Sequence, residues 1–540
     1  MIGGGATGAG IVRDLAMRGF NAVLVERYDW ASGTTGRYNG LLHSGSRYSL
    51  KDIPTARECI QENRILRRIM PHCIEDTGGY VVATPWDDPH FGDHLMACCR
   101  QAGIPSEDVP IRTVLKQEPA VNPGITRAVR VPDATADSFL ATRLNVASAR
   151  QYGARAWTYH EVTELLLEHG RVVGARCKDL INDEPLTVSA DLVVNAAGAW
   201  TGKIAATAGI HVPVVCSKGT MIAVHHRVVN TAITRLRMPS EIDSVLPSHS
   251  VTVLGCTDRF VEDPDRFSIE GAELRDILDE CDKLAPGVKD MRLLRVWAGV
   301  RPLYQDAAVE GTAPGELSRS HLILDHESRD GIGGMLTIVG GKWTTYRLMA
   351  EEVVDQVCCK LGTPRPCRTH QEPLPGAERG QHLWHPAPLA HVEKAADYAR
   401  LVCECELVTQ ADVERSLIEQ EARTIDDLRR ITRLGMGTCQ GGTCAYRAAG
   451  LLHQVRHPAF GDTDGALRDF VQERWKGVAP VNSGQQLRQM RLNELIYRDV
   501  LNLDHLPDPR TSNLVAVCYD LPAPDTPPDN PGLRLGLSIE

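Results

Sequence analysis

The sequence predicts an α/β chain of more than one domain, opening on a dinucleotide-binding crossover and closing on a small helical module built around cysteines. Three observations carry this reading. A glycine-rich turn stands within the first ten residues, strand–turn–helix patterns return at 190–200 and 337–351, and Cys403, Cys405, Cys439 and Cys444 form two tight pairs. With 540 residues the chain exceeds the ~100–200 residues of an ordinary domain. A formal net charge of −10, with pI near 6.0, argues against a nucleic-acid partner, since that affinity rests on neutralising phosphates. No stretch approaches the ~18 consecutive apolar residues of a membrane span, so any membrane role is expected to run through a partner or the surface. No secretory signal is read, and sixteen cysteines scattered along the chain fit a reducing, cytoplasmic compartment better than a disulfide framework.

The opening stretch, "MIGGGATGAGIVRDLAMRGFNAVLVERYD", reads as strand, turn, helix and strand. Gly3, Gly5 and Gly8 make G-x-G-x-x-G, the helix stops at Gly19, and "NAVLVER" is a buried strand closed by Glu26. The glycines allow a tight turn and close approach of a pyrophosphate, and the helix N-terminus supplies N–H donors. Glu26, 18 positions after Gly8, stands near the distance expected of a ribose-binding acid. Only Met1 and Ile2 precede Gly3, so the first strand is expected to be nearly absent, as in a chain whose natural start lies upstream. A core strand so short is expected to weaken both sheet and cofactor site.

Residues 31–50, "ASGTTGRYNGLLHSGSRYSL", are rich in Gly, Ser and Thr and suit backbone and hydroxyl contacts to a ligand. "ADLVVNAAGAW" is a buried strand entering a small-residue turn, and "TIVGGKWTTYRLMAE" is strand, glycine turn and helix. With "GLLHSG", "GVRPL", "DHESRDG" and "GMGTCQGGTC", these segments resemble the FAD-dependent glycerol-3-phosphate dehydrogenases, and most closely the catalytic chains of their anaerobic bacterial branch. That group lies among the D-amino-acid-oxidase-like flavoproteins, which implies a Rossmann-like FAD-binding domain interleaved with a β-sheet substrate domain over 1–361.

The resemblance implies roles for particular residues. Gly3, Gly5, Gly8 and Glu26 are expected to hold the ADP half of FAD. Thr34, Thr35, Gly40 and Leu41 are expected beside the ribityl chain and ring, and Gly340, Gly341 and Thr345 in a second flavin loop. His43, Arg47, Tyr48, Arg301 and Lys342 are expected around the substrate. Elementary chemistry agrees: guanidinium forks and a lysine suit a phosphate dianion. His43, with an ordinary pKa near working pH, is the candidate base for a secondary hydroxyl, and Arg301 and Lys342 the accompanying catalytic cations. An ion-paired Arg301 and a merely hydrogen-bonding His43 remain open alternatives.

A second dinucleotide fingerprint is not evident, so electrons taken from the substrate need an exit other than NAD. Residues 362–394 read as a Pro- and Gly-rich linker, and 395–450 as a compact helical module with helix starts at Thr409 and Thr424, the second helix ending at Gly435. Its pattern is C-x-C, 33 residues, then C-x4-C. Four thiolates suit zinc or a [2Fe–2S] cluster, C-x-C counts against a zinc knuckle, and an unmetallated structural domain is the remaining alternative. The segment resembles the bacterioferritin-associated ferredoxin-like domain, which implies a [2Fe–2S] cluster on Cys403, Cys405, Cys439 and Cys444. The adjacent pairs Cys98-Cys99 and Cys358-Cys359 read as buried free thiols. Residues 451–506 read as helical, and 507–540 as a disordered tail.

The resemblance implies oxidation of sn-glycerol 3-phosphate to dihydroxyacetone phosphate. It also implies electron passage through companion B and C subunits to a membrane quinone, on the cytoplasmic face of the membrane. The rival readings are an amine or amino-acid dehydrogenase on the same fold, and a catalytically dead chain serving electron transfer or assembly.

Overall fold

The computed structural model describes residues 1–242, 244–305, 319–380, 386–394, 400–420, 422–456 and 463–500. The helix Ala6–Met17 is buried on every side, down to Arg13 and Asp14, as expected of a helix packed within a layer rather than on a surface. It ends at Arg18, which is ion-paired to Asp14 at 2.7 Å and Asp355 at 2.6 Å, and Gly19 turns the chain at φ +76°. The chain then enters the strand Val23–Val25.

Ile2 supplies what the sequence left in doubt. It bridges Val25 on one side and Asn195 on the other, both parallel. Its N–H donates to Val194 O and its carbonyl accepts from Ala196 N, both at 2.9 Å, while Val25 N donates to Met1 O at 3.0 Å. Met1 and Ile2 therefore complete the middle of a parallel sheet, and the short first strand is a full hydrogen-bonding member at that one position. Outward from it run Val23–Val25 and Arg155–Trp157 on one side, and Val193–Asn195, Met335–Gly340 and His321–Asp325 on the other.

Side chains alternate across this sheet because strand residues point to opposite faces in turn. Leu24, Val194, Leu336 and Ile338 face Ala6–Met17 and the helices Ser138–Gln151 and Tyr346–Lys360. Ile2, Val25, Val193, Met335 and Val339 face a three-stranded antiparallel layer, His160–Glu168, Arg171–Asp179 and Glu184–Ser189. Both faces are covered, which a parallel sheet requires.

The interleaved substrate domain is a nine-stranded, mostly antiparallel sheet. Its backbone is the pairing of Val214–Val224 with Leu293–Tyr304, which carries Arg301 opposite Ser217. The segment read as a linker behaves otherwise over 363–380. Leu374 is buried, Leu374 N donates to Ile69 O at 2.7 Å, and Arg13 Nη2 donates to Glu372 O at 2.7 Å. Aperiodic composition hid a packed strap whose backbone is tied to the flavin-domain helices.

In the C-terminal module, helices Gln410–Ile418 and Ile425–Thr432 open on capping boxes, Thr409 with Asp412 and Thr424 with Asp427. The second ends three residues before Gly435, because Arg433 turns left-handed at φ +67° while its Nε holds Glu406 at 3.0 Å. Cys444–Arg456, Thr463–Val478 and Gly484–Leu495 complete the bundle. Of the segment 451–506 expected to be helical, 451–456 and 463–500 are described, the latter ending in the π-helical turn Ile496–Val500; 457–462, 501–506, the tail 507–540, and the 381–385, 395–399 and 421 portions of the linker and module lie outside the described residues.

Two cysteine expectations need correction. Cys99 and Cys358 are buried, but Cys98 is half-buried and Cys359 exposed. Both pairs sit on helices with one side to solvent, where neighbours stand about 100° apart, and here the second position of the first pair and the first position of the second face the core.

Candidate active site and four-thiol centre

A cavity of about 1260 Å³ runs between the glycine turn and the substrate sheet. It exceeds the ~300–1,000 Å³ of ordinary small-molecule pockets, leaving room for a dinucleotide and a small substrate together. At its closed end, Gly3 has φ +100°, and a Cβ there would lie 2.6 Å from Ala196 O; one on Gly8 would overlap the Gly3 carbonyl. Only glycine permits that approach. Gly5 N-caps the first helix without a side chain, and Thr35 Oγ1 accepts from Ala6 N at 3.0 Å in its stead. Glu26 accepts from Gly4 N at 2.6 Å and Tyr28 N at 2.9 Å. Burial pushes its carboxyl up, against the downward pull of those two N–H groups.

The wall from Thr34 to Leu41 is fixed at several points. Thr34 Oγ1 donates to Val300 O at 2.6 Å, Gly40 O accepts from Ala136 N at 2.8 Å, and Leu41 pairs with Thr135. Opposite stand Gly340, Gly341 and Lys342, before the turn Trp343–Thr345 that leads into Tyr346–Lys360. Thr345 Oγ1 donates to Lys342 O at 3.3 Å, and Trp343 stacks on Tyr38 with centroids 5.5 Å apart. Trp343 Nε1, Thr344 Oγ1 and His43 Nδ1 are buried in this lining without hydrogen-bond partners. Buried polar atoms in folded proteins are nearly always paired, so these mark where a polar ligand belongs. The glycine cradle, the acid and the orphaned donors fit FAD.

At the other end, Tyr48 lies between His43, with ring centroids 5.1 Å apart, and Lys342, whose Nζ is 5.0 Å from the ring centroid. Lys342 Nζ also donates to Arg319 O at 3.0 Å, and Arg47 Nη2 to Ser240 O at 3.1 Å. Arg301 is braced rather than loose: it donates to Ser217 Oγ at 3.1 Å, Thr257 O at 3.1 Å and Cys256 Sγ at 2.9 Å, and pairs with Asp258 at 3.3 Å. Arg319 shares the same Asp258 at 2.6 Å. Although burial opposes it, Tyr48, Asp258 and Cys256 together hold Arg319 above its ordinary value. Arg319 and Asp258 escaped the sequence reading, since neither lies in a recognisable motif and only folding brings them to Arg301.

His43 differs from expectation in its electrostatics. Burial, then Lys342, Arg47 and Arg319, lower its pKa to about 3, so the imidazole is neutral throughout the working range. Its ordinary pKa is therefore not available here: the lowered value leaves the imidazole neutral but makes it a weak base while those cations stand unopposed.

The four module thiols form a ring. Cys403 neighbours Cys405 and Cys444, and Cys439 neighbours the same two. Backbone N–H groups of Gly435 and Glu406 point at Cys403, and those of Gly441 and Thr443 at Cys439, which favours thiolate at both. Hydrogen bonds around the ring pull Cys403 and Cys439 toward thiolate and push Cys405 and Cys444 the other way. Four convergent thiols with directed N–H donors fit a two-iron cluster.

Fold and site together define a flavin-dependent oxidoreductase with an iron–sulfur module in the same chain. Residues 1–347 match the FAD dependent oxidoreductase family, and 401–454 the BFD-like [2Fe-2S] binding domain. The A-type chain of the anaerobic glycerol-3-phosphate dehydrogenase of Escherichia coli is 41% identical, the match covering 93% of this chain and 96% of the relative. Its A1-type counterpart in Haloferax volcanii is 39% identical, covering 96% and 93%. The chain belongs to this family of catalytic chains of anaerobic glycerol-3-phosphate dehydrogenase, and its cofactors are FAD and a [2Fe–2S] cluster. The FAD-complexed glycerol-3-phosphate dehydrogenase of Bacillus halodurans shares the fold, with TM-score 0.58, 22% identity and 94% of each chain covered. Glycine oxidase of Geobacillus kaustophilus shares it with TM-score 0.53 and 19% identity, over 69% of this chain and 97% of the oxidase.

Proposed function

We propose that the chain oxidises sn-glycerol 3-phosphate to dihydroxyacetone phosphate, and that its electrons pass through companion B and C subunits to a membrane quinone at the cytoplasmic face of the membrane. The carrying observation is the convergence of Arg47, Arg301, Arg319 and Lys342 around His43 and Tyr48 at one end of a dinucleotide-sized cavity. Curated relatives named as one subunit of a larger enzyme support the companion subunits. Among the described residues no helix is long and apolar enough to cross a membrane, which agrees with attachment through partners.

The chain's own residues divide the work. Gly3, Gly5, Gly8 and Glu26 hold the ADP half of the cofactor; Thr34, Thr35 and Leu41 line one side of the ribityl and ring portion, with Gly40 turned to the second cavity behind them, and Gly340 and Gly341 line the other, with Thr345 bracing Lys342 from outside the lining. Bound FAD supplies the two-electron acceptor, and the cluster on Cys403, Cys405, Cys439 and Cys444 the one-electron exit. Arg319, Arg47 and Lys342 receive the phosphate dianion as point charges and forks. Asp258 keeps Arg301 and Arg319 at fixed spacing. Neutral His43 accepts the proton of the secondary hydroxyl at a ring nitrogen. The arriving dianion offsets the cations that depress His43, so substrate binding itself raises its basicity.

Anaerobic addition of sn-glycerol 3-phosphate to the loaded chain should bleach the flavin bands, with the broader cluster absorbance following. A flavin that ignores this substrate but bleaches with an amino acid would transfer the case to an amino-acid dehydrogenase.

A further inference from the structure

A second cavity, of about 340 Å³, lies between the loop 31–40 and the C-terminal module. Tyr28, Ser32, Arg37, Tyr38 and Asn39 line both cavities, so this loop is the wall that separates the flavin site from the cleft. Six arginines and Lys476 line the cleft, against Asp137, Asp426, Asp469 and Glu473. Several of the cations are already paired. Arg429 holds Asp426 at 2.7 Å, Arg430 holds Asp29 at 2.7 Å and Asp427 at 2.8 Å, and Lys476 holds Glu473 at 3.2 Å.

Arg474 is different. It is 5% exposed, and its Nη2 donates to Gln440 Oε1, but Nε and Nη1 have no hydrogen-bond partner. The charged groups nearest it are the guanidinia of Arg295 and Arg429 and the carboxylates of Asp426 and Glu473, the like charges weighing more. A buried guanidinium with two idle donors beside two other guanidinia is costly unless an anion completes it.

We propose that this cleft binds a small oxyanion of the phosphate class, free or as a monoester, through Arg474 with Arg295 and Arg429. A fork of parallel N–H donors matches two oxygens of a tetrahedral oxyanion. The volume admits such a group and excludes a second dinucleotide. The anion ties the helix Thr463–Val478 to the helix Ile425–Thr432 and to the strand Leu293–Tyr304, the elements that carry these arginines. It thereby fixes the cluster module against the wall of the flavin site.

Equilibrium dialysis of the flavin- and cluster-loaded chain against radiolabelled inorganic phosphate tests this. The wild type should hold one phosphate that Arg474→Gln weakens by about tenfold or more and Arg319→Gln leaves in place. A second phosphate, removed by Arg319→Gln, belongs to the substrate site, so failure of either reading is visible separately. Glycerol 2-phosphate, run in parallel, decides between free phosphate and a monoester as the preferred occupant. Flavin and cluster absorbance report the fold of each variant, and Arg295→Gln takes over if Arg474→Gln does not fold. Phosphate binding unchanged by both Arg474→Gln and Arg295→Gln, or no phosphate bound outside the site Arg319→Gln removes, overturns the proposal.

Discussion

Tyr48 sits between a neutral imidazole and an ammonium, and that contact separates recognition from proton transfer. Arg319→Gln should raise KM for sn-glycerol 3-phosphate roughly 10- to 100-fold with a normal flavin spectrum, as expected from losing charged hydrogen bonds worth about 1.5–3 kcal/mol. Arg301→Ala should also raise KM, but with a fall in Tm, because Ser217, Thr257 and Asp258 lose their brace. His43 gives a pH signature. An unfolded histidine takes a proton as pH falls below 6.5, whereas folded His43 stays neutral to about 3. Stability is therefore lost as pH falls through that window, and His43→Gln should flatten the loss in urea titrations. The same value places no His43 limb in kcat/KM between pH 5 and 7, so an acid limb shared by wild type and variant reports another group. The glycine turn and Glu26 were legible because local backbone geometry restricts those positions. Arg319, Asp258 and the pKa of His43 were not, because each depends on neighbours distant in the chain.

At the scale of elements, the capping boxes were readable from Thr409 and Thr424, since a cap is satisfied within four residues. Thr424→Ala should cost about 1 kcal/mol in module stability, measured by thermal unfolding. Gly441 is a sharper probe. It sits at φ +95°, and an added Cβ would lie 2.7 Å from the Phe470 ring, beside the N–H directed at Cys439. Gly441→Ala should lower iron content while leaving flavin content unchanged. The strap 363–380 was misread for the opposite reason to the caps. It has no periodicity, and apart from short turns of its own it is held by hydrogen bonds to Ile69 and Arg13, far away in the chain.

Across the whole molecule, the module is seated by buried polar contacts. Tyr159 OH donates to Asp427 at 2.7 Å, Arg430 joins Asp29 to Asp427, and Ser250 Oγ donates to Glu406 at 2.5 Å. Removing one partner of such a group leaves a buried charge, so Arg430→Met should destabilise the seated module by about 3–5 kcal/mol, visible as faster limited proteolysis between the domains. Cys439→Ser should leave substrate bleaching of the flavin intact but abolish the cluster absorbance that follows it. The two-part organisation was apparent along the chain, but the faces by which the parts meet were not.

The glycine spacing, the strand–turn–helix order and the cysteine count follow from local geometry and ligand chemistry, so they stood in the chain before folding and already implied a dinucleotide and a thiolate-bound metal, which the family resemblance narrowed to flavin and iron and joined to a phosphate substrate. Folding decided the rest: that Ile2 bridges Val25 and Asn195 in the middle of the sheet, that Asp258 spaces two arginines, that His43 is neutral, and that Arg474 keeps two donors idle beside a cleft. Each of these depends on desolvation or charge between residues far apart in sequence, and such energies exist only once the chain has brought them together.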